Sequence, residues 1–152
     1  LNALKDDLTA LENLIISGGL AARPVTRAGA REALARFGLE DYDDLPVRLL
    51  SQGQRRRLSL ANAIARKPRL LLLDEPHAGL DEQGRAVLEE VVQAAPSAGC
   101  TVMLASHELD LARRLSTREV RIVAGQVHAV PVSSAPAPLP NPAVVAELEA
   151  RT

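Results

Sequence analysis

Leu70-Leu71-Leu72-Leu73-Asp74-Glu75-Pro76 is the stretch whose reading decides the fold. Its leucine run has the length of one buried strand and is far too short to cross a bilayer. A strand apolar on both faces belongs in a parallel sheet with helices on either side. It ends in two adjacent carboxylates at its C-terminal tip, where open α/β sheets place their ligands. Neighbouring residues on a strand point to opposite faces, so Asp74 and Glu75 can divide labour. Asp74 can face a Mg2+ ion through water. Glu75 can polarise an attacking water, as phosphoryl-transfer sites require. A plain strand ending in a polar turn is the alternative. The unbroken leucine run and the Pro76 stop weigh against it.

Working downstream, residues 83–95 read as a helix with Val87, Leu88, Val91 and Val92 inward. Residues 96–99 read as a turn, 101–105 as a second buried strand and 108–115 as a short helix. Residues 120–123 and 127–130 pair as a hairpin around Gly125-Gln126. From Pro131 the composition shifts to Pro, Ser and Ala, the composition of a linker or loose tail, with a short helix resuming at 144–151.

Upstream, Thr9 and Glu12 have capping-box spacing and open a helix that Gly18-Gly19 stops. Pro24 and Thr26 open a second, with Ala30, Ala33, Leu34 and Phe37 in one apolar stripe and Gly38 at its end. Ser51 is an N-cap for a third, about 54–66. The chain thus predicts a parallel α/β sheet with helices ahead of it. Two parallel strands and a hairpin would leave a long apolar edge, which missing upstream strands would cover.

Composition narrows the function. Apolar residues make up 47% and charged residues 24% of 152, as in an ordinary globular domain. A net charge of −1 argues against a nucleic-acid surface. Phe37 and Tyr42 are the only aromatics, so base-stacking platforms and aromatic membrane belts are excluded. The single Cys100 forms no intrachain disulfide, and no stretch is a transmembrane segment or signal peptide.

Two further segments carry chemistry. Leu50-Ser51-Gln52-Gly53-Gln54 offers a hydroxyl, a close backbone approach and a helix N-terminus that favours an anion. By itself it reads first as an ordinary capped helix with a solvated Arg55-Arg56-Arg57 face. Ala105-Ser106-His107-Glu108 puts a histidine just past the next strand, on the sheet edge that carries Asp74 and Glu75. A lone histidine there is weak evidence.

Taken in order, these motifs resemble the nucleotide-binding domain of ABC transporters, over about residues 4–130. Ser51-Gln52-Gly53-Gln54 is similar to the family signature and Leu70 to Glu75 to its Walker B strand. Ala78-Gly79-Leu80-Asp81 is similar to its D-loop, and His107 to its switch histidine. The resemblance implies a P-loop NTPase-like parallel sheet, here partial, with an α-helical subdomain before it. It implies that Ser51, Gly53 and Gln54 contact the γ-phosphate of ATP bound on an opposite subunit. It further implies that Asp74 holds Mg2+ through water, that Glu75 is the general base, that Asp81 links two sites across a dimer and that His107 senses the γ-phosphate. The implied cofactors are ATP and Mg2+. The implied partners are a second ATP-binding subunit and an integral membrane permease, with no nucleic acid. The implied location is peripheral, on the cytoplasmic face of a bacterial inner membrane.

There are departures from the family pattern. Gln52 stands where glycine is usual, Asn62 where arginine is common, and His77 reads as a variable loop residue. No G-x-x-x-x-G-K-[ST] phosphate loop occurs and the Q-loop is missing. With no initiator Met at Leu1, the expectation is a fragment that is inactive alone. Expected domains are a helical subdomain over 1–50, the signature helix and C-terminal half of a RecA-like core over 51–130, and a Pro/Ala-rich tail over 131–152. The stretches 4–14 and 45–51 resemble the ATP-binding subunit of the heme exporter of cytochrome c biogenesis. The alternatives are the ATPase of another exporter, multidrug systems included, or a non-enzymatic half that lends only its signature to a partner.

Overall fold

The computed structural model describes residues 4–19, 24–130 and 144–148, and it divides into two compact units. One comprises Leu1–Pro68 and Gly79–Val87, the other Arg69–Ala78 and Leu88–Thr152.

The first unit is built on helices α1 (Ala10–Gly19), α2 (Arg27–Arg36) and α3 (Gln52–Ala65), which pack pairwise. Each starts where a cap predicts. Thr9 Oγ1 accepts from Glu12 N–H at 3.1 Å and Glu12 accepts from Thr9 N–H at 2.9 Å, closing a capping box. Thr26 accepts from Gly29 N–H, and Ser51 with Gln54 forms a second box. α1 ends at Gly19, within the Gly18-Gly19 pair expected to stop it, and α2 is followed by Gly38 at φ +63°, a conformation suited to glycine.

Asn13 explains why the approach to α1 is fixed. Its Nδ2 donates to the carbonyls of Lys5 and Thr9 at 3.0 Å, and its Oδ1 accepts from Lys5 N–H at 2.8 Å. It is 2% exposed, so each bond replaces one that water no longer supplies. Leu11, Leu14, Leu34, Phe37, Leu58 and Leu60 are among the buried core residues of this unit. Burying a side chain of this kind contributes about 1.5–3 kcal/mol.

The second unit holds one sheet of β1 (Leu70–Asp74), β2 (Thr101–Ala105), β3 (Arg118–Val123), β4 (Gln126–Val130) and β5 (Val144–Leu148), in the order β1-β2-β5-β3-β4. Every neighbouring pair is parallel except β3–β4. α4 (Glu82–Ala94) contributes Leu88, Val91 and Val92 to the core, and α5 (Leu109–Leu115) contributes Leu111, Ala112 and Leu115. The hairpin turns on Ala124 and Gly125, at φ +51° and +80°. Positive φ at both positions suits the right-handed twist of the flanking strands.

Two expectations are corrected here. β1 does not have both faces covered: Leu71 and Leu73 are buried, but Leu70 and Leu72 are 54% and 64% exposed. Its leucine run records a two-faced strand, and this chain covers one face. The helix expected over 144–151 is, over Val144–Leu148, a strand set between β2 and β3. The paired β-branched Val144 and Val145 favour that state. The rest of the expected loose tail lies outside the described residues.

Candidate functional site

The second unit brings Asp74, Glu75 and His107 to one end of the sheet. Asp74 closes β1 opposite Ala105, the last residue of β2. The chain then turns: Glu75 N–H donates to the Ala105 carbonyl at 2.9 Å, and Glu75 adopts φ +42°. A non-glycine residue there carries backbone strain of order 1–3 kcal/mol. The side chain it presents is held from three sides. Glu75 Oε1 accepts from His107 N–H at 2.9 Å and lies 2.7 Å from His107 Nδ1. Oε2 accepts from the Ser106 hydroxyl at 3.3 Å, and that hydroxyl accepts from Glu108 N–H at 3.1 Å.

A carboxylate only accepts, so the proton of this contact sits on His107 Nδ1. Partial burial pushes the Glu75 carboxyl up. The bonds from the His107 ring and N–H, the imidazolium charge and the Ser106 hydroxyl outweigh it and hold the group below its usual range. The same hydrogen bond, and then the Glu75 charge, raise His107. Glu75 is thus ionised at neutral pH, with its side chain 36% exposed and within reach of water. That is the state a general base needs.

Asp74 is exposed at the strand tip. Among the described residues no three His, Cys, Asp or Glu side chains gather as a metal cage. Mg2+ commonly keeps several waters and takes one or two carboxylates plus phosphate oxygens. A single exposed carboxylate fits that water-mediated role, and Glu75 is already engaged by His107 and Ser106.

The first unit holds Ser51, Gly53, Gln54 and Asp81. Ser51 Oγ accepts from Gln54 N–H at 3.2 Å, and Gln54 Oε1 accepts from Ser51 N–H at 2.8 Å. The box consumes acceptors, so the Ser51 O–H and the Gln54 amide keep donors for an anion. Gly53 sits in the first turn, where N–H groups have no intrahelical partner. A Cβ at Gly53 would meet only the Gly79 carbonyl oxygen, at an ordinary 3.8 Å. The chain's own packing therefore does not require glycine there, which is consistent with a need set by something outside it.

Asp81 has local work. Its Oδ1 accepts from Gly84 N–H at 2.8 Å, capping α4, and its Oδ2 lies 3.8 Å from Arg57 Nη2. Arg57 Nη1 also donates to the Phe37 carbonyl at 3.2 Å. The reading of Arg55 to Arg57 as solvated surface is therefore corrected. The Arg57 side chain is 13% exposed, and Arg55 reaches Asp6 and the Val47 carbonyl. His77, read as a variable loop residue, is 1% exposed. Asn62 is buried and donates to Ser17 Oγ.

Ser106 is the residue that sequence reasoning missed. It is 4% exposed and bridges Glu75 to the start of α5. A hydroxyl directly before the histidine was the available signal.

Residues 2–78 match the family model described as ABC transporter. The chain is 43% identical over 105 residues to the cytochrome c biogenesis ATP-binding export protein CcmA of Pseudomonas aeruginosa, covering 69% of this chain and 52% of that protein. It is 40% identical over 129 residues to the daunorubicin resistance ATP-binding protein DrrA3 of Streptomyces coeruleorubidus, covering 84% and 41%. Among solved structures, a dimeric post-hydrolysis ATP-binding cassette bound to ADP and Pi matches with a TM-score of 0.69 and 26% identity, over 86% of this chain and 60% of that one. The chain spans about half the length of the curated relatives it matches.

Proposed function

Since the chain belongs to the ABC transporter family, we propose that it is the catalytic-carboxylate and signature part of a subunit that hydrolyses Mg-ATP to drive export through a membrane permease. The observation that carries this reading is the ionised Glu75 at the tip of β1, held by His107 and Ser106. In this reading Glu75 takes the proton of the attacking water and His107 keeps it aimed. Asp74 holds Mg2+ through water. That ion supplies charge neutralisation on the phosphates when bound. Ser51, Gly53 and Gln54 donate to the γ-phosphate of nucleotide held on an opposite subunit, and Asp81 lies at the junction of the two.

The phosphate-holding loop comes, in this proposal, from outside these 152 residues, since the sequence has no G-x-x-x-x-G-K-[ST]. The working unit is a dimer of such subunits, peripheral on the cytoplasmic face of the membrane. The exported substrate is heme, supported by the likeness to the CcmA proteins. Likeness to the daunorubicin resistance protein and to the cobalt import ATP-binding protein CbiO of Rhodobacter capsulatus keeps other substrates as the competing reading. The missing loop also favours a second reading, a non-enzymatic half that lends only its signature to a partner.

ATP turnover by the complete gene product, measured beside this 152-residue chain, separates the readings. Turnover in the complete protein and none in the short chain is the expected pair. No turnover in either, with the permease present, would favour the non-enzymatic half. Stimulation of that turnover by heme in membranes carrying the permease is the test of substrate.

A further inference from the structure

The ion pair that joins α5 to β3 takes no part in the proposed reaction. Arg113 Nε donates to Glu119 Oε2 at 2.9 Å, and Arg113 Nη2 donates to Glu119 Oε1 at 3.4 Å. Glu119 is 3% exposed, inside β3. Stability alone is a poor reason for such a pair. Its attraction must first offset the lost hydration of both charges, and apolar residues of similar volume commonly serve a fold as well or better. What the pair has over an apolar contact is direction, because a two-point fork fixes angle as well as distance.

α5 has use for that direction. Its seven residues span about 10 Å and are too few to hold a helix alone. Leu111, Ala112 and Leu115 bury one side of it, and apolar burial is non-directional. Glu108, at its start, makes no side-chain cap bond. A slip of one helical position is a shift of about 1.5 Å along the axis, which burial alone resists weakly.

The start of α5 is where the holders of Glu75 are attached. Ala112 N–H donates to the Glu108 carbonyl at 3.0 Å, so Glu108 is tied into the helix. Glu108 N–H donates to Ser106 Oγ at 3.1 Å, and the Ser106 hydroxyl donates to Glu75 Oε2 at 3.3 Å. Ser106 is 4% exposed, so water does not substitute freely for either bond. His107, between them, gives its N–H to Glu75 Oε1 at 2.9 Å. One helix and its end bonds thus connect Glu119 to Glu75, and all of these residues lie in the second unit.

We propose that Arg113 and Glu119 are positioning residues for Glu75: they set where α5 stands on β3 and, through Glu108 and Ser106, where the Glu75 carboxylate points. The catalytic part of this rests on the reading of Glu75 as the base. A reacting group misplaced by about 1 Å can cost about a hundredfold in rate. An interaction needed only for the chemical step lowers kcat and leaves KM alone.

The test uses the complete gene product and two readouts, ATP turnover and amide exchange at His107 and Glu108. Arg113→Met combined with Glu119→Leu removes the pair without leaving a buried charge. Its kcat is expected to fall about tenfold or more with the KM for ATP unchanged. Exchange at His107 and Glu108 should quicken by a similar factor while β1 and β2 keep their protection. Glu119→Gln, which keeps an acceptor for Arg113, should restore most of both. In a Ser106→Ala background, where the last link is already cut, removing the pair should lower kcat by less than about threefold more. Arg113→Lys keeps the charge and loses the fork, so it reads the same link if the double variant does not fold; slower turnover and faster exchange are expected there too. Parent exchange at both amides, a raised KM with parent kcat, or the full loss of rate persisting in the Ser106→Ala background would each overturn the proposal. Glu75→Gln is measured beside these. If it turns over at the parent rate, the base reading has failed, and exchange at His107 and Glu108 alone decides whether the pair positions Glu75.

Discussion

The helical unit and the sheet unit solve the burial problem differently. In the first, Leu14, Leu34, Phe37, Leu58 and Leu60 are at 0–1% exposure, and each of its three helices starts on a side-chain cap. In the second, Leu70 and Leu72 stand more than half exposed, and the centre of the sheet is held by a strand that follows a thirteen-residue connection. The difference teaches where completeness lies. Capped helices close their own polar and apolar accounts within a few dozen residues. A parallel sheet depends on strands that can arrive from far along a chain.

The contrast breaks most visibly if the helical core is emptied. Phe37→Ala removes a ring that is 1% exposed and should cost about 3–5 kcal/mol, read by urea denaturation. Amide protection in α1–α3 should fall with it.

Next in size is the pair inside the sheet unit. Arg113 Nε donates to Glu119 Oε2 at 2.9 Å, and Glu119 is 3% exposed. Arg113→Ala should cost about 2 kcal/mol at neutral pH, by leaving that carboxylate buried without its main partner; the arginine is 43% exposed, so the loss stays below that of a fully buried pair. The arginine's hydrogen bond, against burial, holds the Glu119 carboxyl below its usual range. The stabilisation is therefore present above the unfolded carboxyl's pKa and is lost as pH falls through the lower, folded one. The difference between parent and variant should shrink in acid along that path.

Ser51→Ala should cost about 1 kcal/mol through the lost cap of α3, and should weaken nucleotide-dependent pairing of subunits more than it weakens folding. Leu72→Gln, on the open face of β1, should change stability by less than about 0.5 kcal/mol in this chain. A large loss there would mean that the face is covered and the contrast is wrong. The smallest effect belongs to His107, which is 79% exposed. Its pKa is raised, so its contribution is present below the unfolded histidine's pKa and fades as pH rises through the folded one. On the acid side it ends as Glu75 takes up its proton. His107→Ala should therefore flatten the stability profile between those limits and nowhere else.

How much of this was legible in the sequence follows the same division. The helix starts at Thr9, Thr26 and Ser51 were readable because a cap and its receiving N–H lie three residues apart. The strands 70–74 and 101–105 were readable from apolar runs, and their C-terminal ends brought Asp74, Glu75 and His107 to one edge as anticipated. The place of 144–148 was not, because strand order is set by pairing partners that sit far apart in the chain. Arg57 looked like a solvated residue because nothing local announces the Phe37 carbonyl or Asp81 as its partners. Ser106 was passed over beside a more conspicuous histidine, though it holds the same carboxylate.

The central claim is that Glu75 is the base for ATP hydrolysis, and one measurement reaches it directly. In the complete gene product, Glu75→Gln keeps the size of the side chain and removes the charge. The account predicts that ATP still binds while the rate of phosphate release falls by about a hundred- to ten-thousandfold. Phosphate release at the parent rate would contradict it.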